Sequence, residues 1–157
     1  MEVKKGASIL FDFRASHSGA VGFVFKYLDQ NNFYIFEIGG SSLVTARYFQ
    51  VRRILDGVWT TLRRINTNAE IPFLPFFGYE VKAWYSVQAI IEEDEFKFSI
   101  ALLGISQRIQ ILHINDDKIK RGKVGFSTSG TEAVFAEISI RPPAIPFCNI
   151  IILQSPF

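Results

Sequence analysis

Short strand-like segments, separated by turn residues about every ten positions, recur along almost the whole chain. Apolar side chains alternate within them, as Ile9, Phe11 and Phe13 do in the first segment. Such alternation is typical of strands that place one face in a hydrophobic core. No segment of helix length has an amphipathic helical pattern. The spacing therefore predicts an all-β fold, either a two-sheet sandwich or a jelly roll.

The pattern sets the expected boundaries of the strands and of the domain. Three prolines, Pro142, Pro143 and Pro146, interrupt it near the end of the chain. We therefore expect a sandwich domain over residues 1–141, followed by a Pro-rich break and a final strand or tail over residues 142–157. The predicted strands cover residues 7–15, 20–28, 32–38, 43–55, 58–65, 84–92, 96–103, 105–114, 123–128 and 133–140, with 147–153 as the last strand or tail.

Composition supports one strand-rich domain. The chain has 157 residues, of which 16 are Phe, and aromatic and β-branched residues favour pleated sheets. Cys148 is the single cysteine, so no intrachain disulfide can form, and its apolar surroundings predict a buried structural thiol. A net charge of +2 gives no indication of nucleic acid as a partner. No apolar run is long enough to predict a transmembrane segment.

The most informative segment for function is a basic hairpin around Asp56-Gly57, a dipeptide that favours a two-residue turn. Such a turn would place Arg52 opposite Thr61 and Gln50 opposite Arg63. Guanidinium groups suit sulfate and carboxylate groups, and aromatic rings can stack on sugars. The hypothesis is a face that binds a glycan, either neutral or sulfated. The alternative is a solvated basic surface with no ligand. The candidate ligand-binding residues are Tyr48, Arg52, Trp59 and Arg63.

Two loops carry clusters of oxygen ligands. Asp29 with Asn31 is a candidate calcium site, and Asp116 with Asp117 is a second, because calcium prefers carboxylate and carbonyl oxygens on loops. The alternative is turn chemistry, since Asp and Asn side chains bond their own loop backbone. No Cys or His spacing predicts a zinc site.

Catalytic motifs are not found in the sequence. The acidic run Glu92-Glu93-Asp94-Glu95 lies at a predicted hairpin tip, where a solvated turn is the expected role. His17 and His113 have no partner in the sequence that would make either one a general base. We therefore predict a protein that is not an enzyme.

A nine-residue loop, residues 71–79, is unusually apolar. It contains Pro72, Phe73, Leu74, Pro75, Phe76, Phe77 and Tyr79. Folded back, it would cap one end of the sandwich, which is the favoured interpretation. Exposed, it would be an interaction patch.

Several blocks of residues resemble a known superfamily. Residues 22–34, GFVFKYLDQNNFY, resemble a strand-and-turn signature of the concanavalin A-like, laminin G-like jelly-roll domains. Residues 51–62 with their Asp-Gly turn, residues 84–87 (WYSV) and residues 122–126 (GKVGF) with Phe135 and Ile138 follow in the family's order. The resemblance extends to the carboxy-terminal domain of thrombospondins and to sugar-binding modules attached to glycosidases.

The resemblance implies a fold more narrowly than a function, because this sandwich hosts many activities. It implies a lectin-like recognition module that binds a glycan or an extracellular protein, with roles such as cell adhesion. It also implies an extracellular or cell-surface location, as one domain of a larger secreted or surface protein. The alternatives are a glycoside hydrolase or lyase on the same sandwich and a purely structural module between domains.

Overall fold

The computed structural model describes residues 7–41, 43–66, 70, 76–141 and 151–154. The fold is all-β, as predicted, and one 3-10 turn, Val44–Ala46, precedes the fourth strand. The strands are β1 (Ala7–Ala15), β2 (Gly19–Asp29), β3 (Asn32–Gly40), β4 (Tyr48–Leu55), β5 (Val58–Ile65), β6 (Trp84–Ile91), β7 (Glu95–Leu102), β8 (Ile109–Asn115), β9 (Lys123–Ser129), β10 (Ala133–Arg141) and β11 (Ile151–Gln154).

The strands form two sheets that pack as a sandwich. One sheet has the order β10-β1-β6-β7-β8, and the other has the order β11-β9-β2-β3-β4-β5. All pairs are antiparallel except β11 with β9, which are parallel. The predicted last strand is therefore present over residues 151–154, at the edge of the six-stranded sheet.

Two predicted strands begin later than expected. Residues 43–47 do not belong to β4, because a 3-10 turn forms there and the Ala46 amide donates to the Leu43 carbonyl at 3.0 Å. Residues 105–108 do not belong to β8, because the Ile105 amide donates to the Leu102 carbonyl at 3.1 Å in a turn. Local hydrogen bonds replace the ladder in both places, although the side chains alone favour a strand.

Aromatic side chains from both sheets fill the core. Phe36 of β3 stacks on Phe98 of β7, with ring centroids 4.3 Å apart. Phe11 of β1 meets Phe126 of β9 edge to face at 4.9 Å. Each such pair contributes about 0.5–1.5 kcal/mol beyond its buried area. The high Phe content is thus explained by the interface between the sheets.

The apolar loop after β5 folds back on the sandwich where it is described. Phe77 is buried and meets the Phe49 ring edge to face at 5.2 Å. Tyr79 is fully buried, and its hydroxyl donates to the His17 carbonyl at 2.8 Å. The predicted cap is therefore confirmed for residues 76–79. Residues 71–75 and the predicted buried thiol at Cys148 lie outside the described residues.

A polar cluster holds the loop after β8 against the end of the six-stranded sheet. The Tyr34 hydroxyl donates to the Asp116 carboxylate, and Arg53 Nη1 pairs with Asp116 Oδ2 at 2.5 Å. The Ile119 amide donates to the Tyr34 hydroxyl at 3.2 Å. Burial and the bond to Asp116 both raise the pKa of Tyr34. Asp116 thus has a structural role in the fold.

No helix among the described residues is long and apolar enough to span a membrane.

Candidate functional site

One row of mainly polar residues crosses the outer face of the six-stranded sheet at right angles to the strands. Directly paired residues share one side of a sheet, so the strand register defines the row. Ser127 pairs with Gly22, Gly22 with Glu37, Glu37 with Gln50, and Gln50 with Arg64. We call these five residues the polar row. It extends across five strands, from β9 to β5.

Gly22 lies at the crowded middle of the polar row, where neighbouring side chains leave no room for a Cβ atom. A Cβ atom at this position would lie 2.3 Å from the Ser127 hydroxyl and 2.8 Å from Ile35 Cδ1. No larger residue fits there without moving its neighbours. The Ser127 and Ile35 side chains therefore occupy the space that a side chain at position 22 would take.

Glu37 is the charged centre of the row, and only 5% of its surface is exposed. Its Oε1 accepts from Gln50 Nε2 at 3.0 Å and from Arg52 Nε at 2.6 Å, and Arg52 Nη2 lies 2.5 Å away. A buried carboxylate needs such partners to remain charged. Gln50 Oε1 in turn accepts from Arg64 Nη1 at 2.9 Å. These bonds fix four side chains before any ligand arrives.

An aromatic ring lies against each arginine of the site. The Arg52 guanidinium carbon lies 4.3 Å from the centroid of Trp59, and that of Arg64 lies 4.2 Å from the centroid of Tyr48. Trp59 remains 52% exposed. Burial, followed by the charge of Glu37, raises the pKa of Tyr48. Three of the predicted ligand-binding residues, Tyr48, Arg52 and Trp59, therefore share one surface.

Arg63, the fourth predicted ligand-binding residue, does not lie on that surface. A β-bulge in β5 adds one residue, so Thr61 still pairs with Arg52 but Arg63 pairs with Val51. Val51 points into the core, and Arg63 forms an exposed ion pair with Glu70 at 3.4 Å. The predicted pair Gln50–Arg63 is wrong for this reason. Arg64 takes the place expected for Arg63.

An apolar patch adjoins the polar row on the same face. Val24, Phe33, Ile35 and Ile54 form a small buried cluster, with Tyr27 packed against it. Trp59 meets Phe33 edge to face at 5.9 Å, which orients the indole at the margin of this cluster. The surface thus combines fixed polar groups with an exposed aromatic ring.

Comparison with solved structures gives similar folds at low sequence identity. The carbohydrate-binding module CBM66 from Bacillus subtilis aligns with a TM-score of 0.65 and 15% identity, over 87% of this chain and 74% of its own. Sheep galectin-11 aligns with a TM-score of 0.60 and 9% identity, over 90% and 93%. Xenopus laevis galectin-Ib aligns at 0.58 and 15%, over 90% and 95%. The chain has a concanavalin A-like jelly-roll fold. No protein-family profile and no curated protein matches the sequence.

The loops of this jelly roll use their carboxylates internally. Asp29 Oδ1 accepts from the Asn31 amide at 2.8 Å and from Asn32 Nδ2 at 3.0 Å, which is turn chemistry. Asp116 pairs with Arg53 as above, and Asp117 lies 3.7 Å from Lys120. No group of three or more metal-ligating side chains occurs in the part of the chain that the structure describes. Calcium at Asp29 and Asn31 stays a prediction.

The residues weighed for catalysis lie away from the polar row. Glu95 is at the start of β7, where its carboxylate meets His113 Nε2 at 2.5 Å and Lys97 Nζ at 3.4 Å. All three side chains are partly exposed on the five-stranded sheet. The backbone of His17 bonds to Thr131 and Tyr79. These contacts fit a solvated surface network and a turn.

Proposed function

We propose that this domain is a noncatalytic recognition module that binds a glycan on the outer face of the six-stranded sheet. The observation that carries the proposal is the linked arrangement Trp59–Arg52–Glu37–Gln50–Arg64–Tyr48 on one surface. In the proposed site the sugar ring stacks on Trp59, and its hydroxyl groups bond to the polar row.

The chemistry of the row suits vicinal hydroxyl groups. A sugar hydroxyl both donates and accepts, so it can bond to a carboxylate and a guanidinium at once. Glu37 uses Oε1 for every bond recorded among the described residues, which leaves Oε2 as an acceptor. Because the side chains are already held in place, binding would order few of them.

The similar structures support the same class of ligand. One is a carbohydrate-binding module and two are galectins, on the same jelly-roll fold. The laminin G-like and thrombospondin-like resemblance of the sequence adds the wider part of the proposal. In it, the domain belongs to a larger secreted or cell-surface protein and contributes to adhesion, with an extracellular protein as the alternative partner.

A glycan array tests the proposal, with Trp59→Ala as the informative variant. Loss of the stacking ring should weaken binding about tenfold, a cost of the order of 1–2 kcal/mol. Trp84→Ala is the matched control, because Trp84 also lies beside an arginine, Arg14 at 5.2 Å, but on the other sheet. It should bind as the wild type does.

The array also separates the remaining alternatives. Equal loss in both variants, or no binding by the wild type, would contradict a site on this face. Release of a reducing sugar from a polysaccharide panel would instead support the glycoside hydrolase alternative. Running each array with calcium and with chelator tests the predicted calcium site at Asp29 and Asn31.

A further inference from the structure

The arginines of β4 and β5 differ in how their charge is balanced. Arg52 pairs with Glu37, Arg53 with Asp116, and Arg63 with Glu70. Arg64 has no carboxylate partner among the described residues. Its recorded contacts are the neutral Gln50 amide and the Tyr48 ring.

Arg64 is also exposed and oriented. Its bond to Gln50 uses one of five N–H donors. The stack on Tyr48 holds the plane of the guanidinium, and Tyr48 is itself held against Gly39, where a Cβ would lie 2.3 Å from the ring. A flat, fixed guanidinium with unused donors is the group that proteins use for bidentate contact with oxyanions.

We infer that Arg64 binds an anionic substituent, a sulfate or a carboxylate, on the glycan that occupies the polar row. The inference rests on the proposed function and narrows its ligand class. The charge of the site supports this inference, because the side chains of Arg52, Arg64 and Glu37 together carry a net charge of +1. In this arrangement Glu37 and Gln50 contact neutral hydroxyl groups, and the anion lies at the β5 end of the row.

The test measures retention and affinity with matched polysaccharides. The probes are heparin and chondroitin sulfate, their chemically desulfated forms, the uronate polymer hyaluronan and, as the neutral glycan, hyaluronan with its carboxyl groups reduced. The variants are Arg64→Gln, Arg64→Lys and, as the neighbouring control, Arg63→Gln. Tm values for each variant verify that the fold is intact.

Wild-type protein should bind the sulfated or the uronate probe about tenfold to a hundredfold more tightly than a neutral glycan, and added salt should reduce this difference. Arg64→Gln should abolish the difference, Arg64→Lys should restore it only in part, and Arg63→Gln should keep it. Preference for the sulfated forms over their desulfated forms and hyaluronan would identify sulfate, and equal binding to all three would identify the carboxylate.

The outcomes that overturn the inference are distinct from those that overturn the proposed function. Binding of neutral glycans that Trp59→Ala weakens and Arg64→Gln leaves unchanged would refute the anion site alone. Equal loss in Arg63→Gln and Arg64→Gln would indicate general basic attraction and would also refute it. A wild-type protein that binds none of the glycans refutes both.

Discussion

Lys26 gives the structure a pH dependence that can be calculated. A bulge in β2 turns this residue inward, and only 4% of its surface is exposed. Its Nζ donates to the Glu93 carbonyl at 2.5 Å and lies 4.6 Å from the centroid of Phe96. Burial, followed by repulsion from Lys120, lowers the pKa of Lys26 from 10.5 to about 8. This difference corresponds to a cost of about 3 kcal/mol for keeping the ammonium charged in the folded state.

The sign of the effect follows from where the proton is bound. Below pH 8 both states carry the proton, so the folded state bears the full cost. Between pH 8 and 10.5 the unfolded chain retains the proton that the folded protein has released, so the free energy of unfolding rises with pH. Between pH 7.5 and 9.5 the rise is about 2 kcal/mol. Above pH 10 the buried tyrosines have the opposite effect on the free energy of unfolding, because the unfolded chain loses its phenol protons first. Burial raises the pKa of Tyr79, for example, to about 12.

Urea unfolding at pH 7.5, 8.5 and 9.5 measures this slope. Wild-type protein should gain about 2 kcal/mol over the range, and Lys26→Met should not, so the difference between them isolates the Lys26 titration. Lys118→Met, at an exposed position of a nearby loop, is the control and should follow the wild type. Parallel pH profiles for wild type and Lys26→Met would refute a titration of Lys26 in this range.

Two further substitutions test the structural contacts. Asp116→Ala should lower the free energy of unfolding in urea by about 3 kcal/mol, because it leaves the largely buried Arg53 without its carboxylate partner. Asp117→Ala is the control, because Asp117 belongs to an exposed ion pair, and it should cost less than about 0.5 kcal/mol. Similar costs for the two would show that Asp116 does not hold its loop. Gly39→Ala should displace the Tyr48 ring, whose Cε1 lies 2.3 Å from the added Cβ, and should weaken glycan binding several-fold in titration calorimetry with a small change in Tm. Unchanged affinity would show that the ring position does not matter.

Much of the fold could be predicted because the strands carry their own signals. Alternating apolar residues and turn dipeptides predicted ten of the eleven strands found in the described part of the chain, with errors of up to five residues at their ends, and β11 was expected as a strand or a tail. The errors occur where apolar residues continue outside a ladder. Leu43 and Ile105 look like strand residues, yet they are exposed and belong to turns. The hydrophobicity of a segment indicates whether a sheet could bury it, but it does not indicate where hydrogen bonding between strands begins.

The location of the candidate site could be predicted from the sequence, but the full set of residues that form it could not. The basic and aromatic hairpin indicated one face, and Tyr48, Arg52 and Trp59 lie together there as expected. Glu37 was missed, because a lone glutamate in an apolar strand gives no sign of the arginine that will pair with it. The pairing depends on the neighbouring strand, β4, which places Gln50 directly opposite Glu37.

Arg64 occupies the position that was predicted for Arg63. This difference shows how a single inserted residue can change which side chains a sheet presents to solvent. Side chains alternate with a period of two, so one extra residue in β5 moves every later side chain to the opposite face. Without the bulge, Arg64 would face the core beside Phe49, and Ile65, now buried at 3%, would lie on the outer surface. The bulge buries Ile65, and the same shift places Arg64 in contact with Gln50 and Tyr48. Core packing and the composition of the polar row therefore depend on the same irregularity, and burial of Ile65 stabilises the register that the proposed anion site requires.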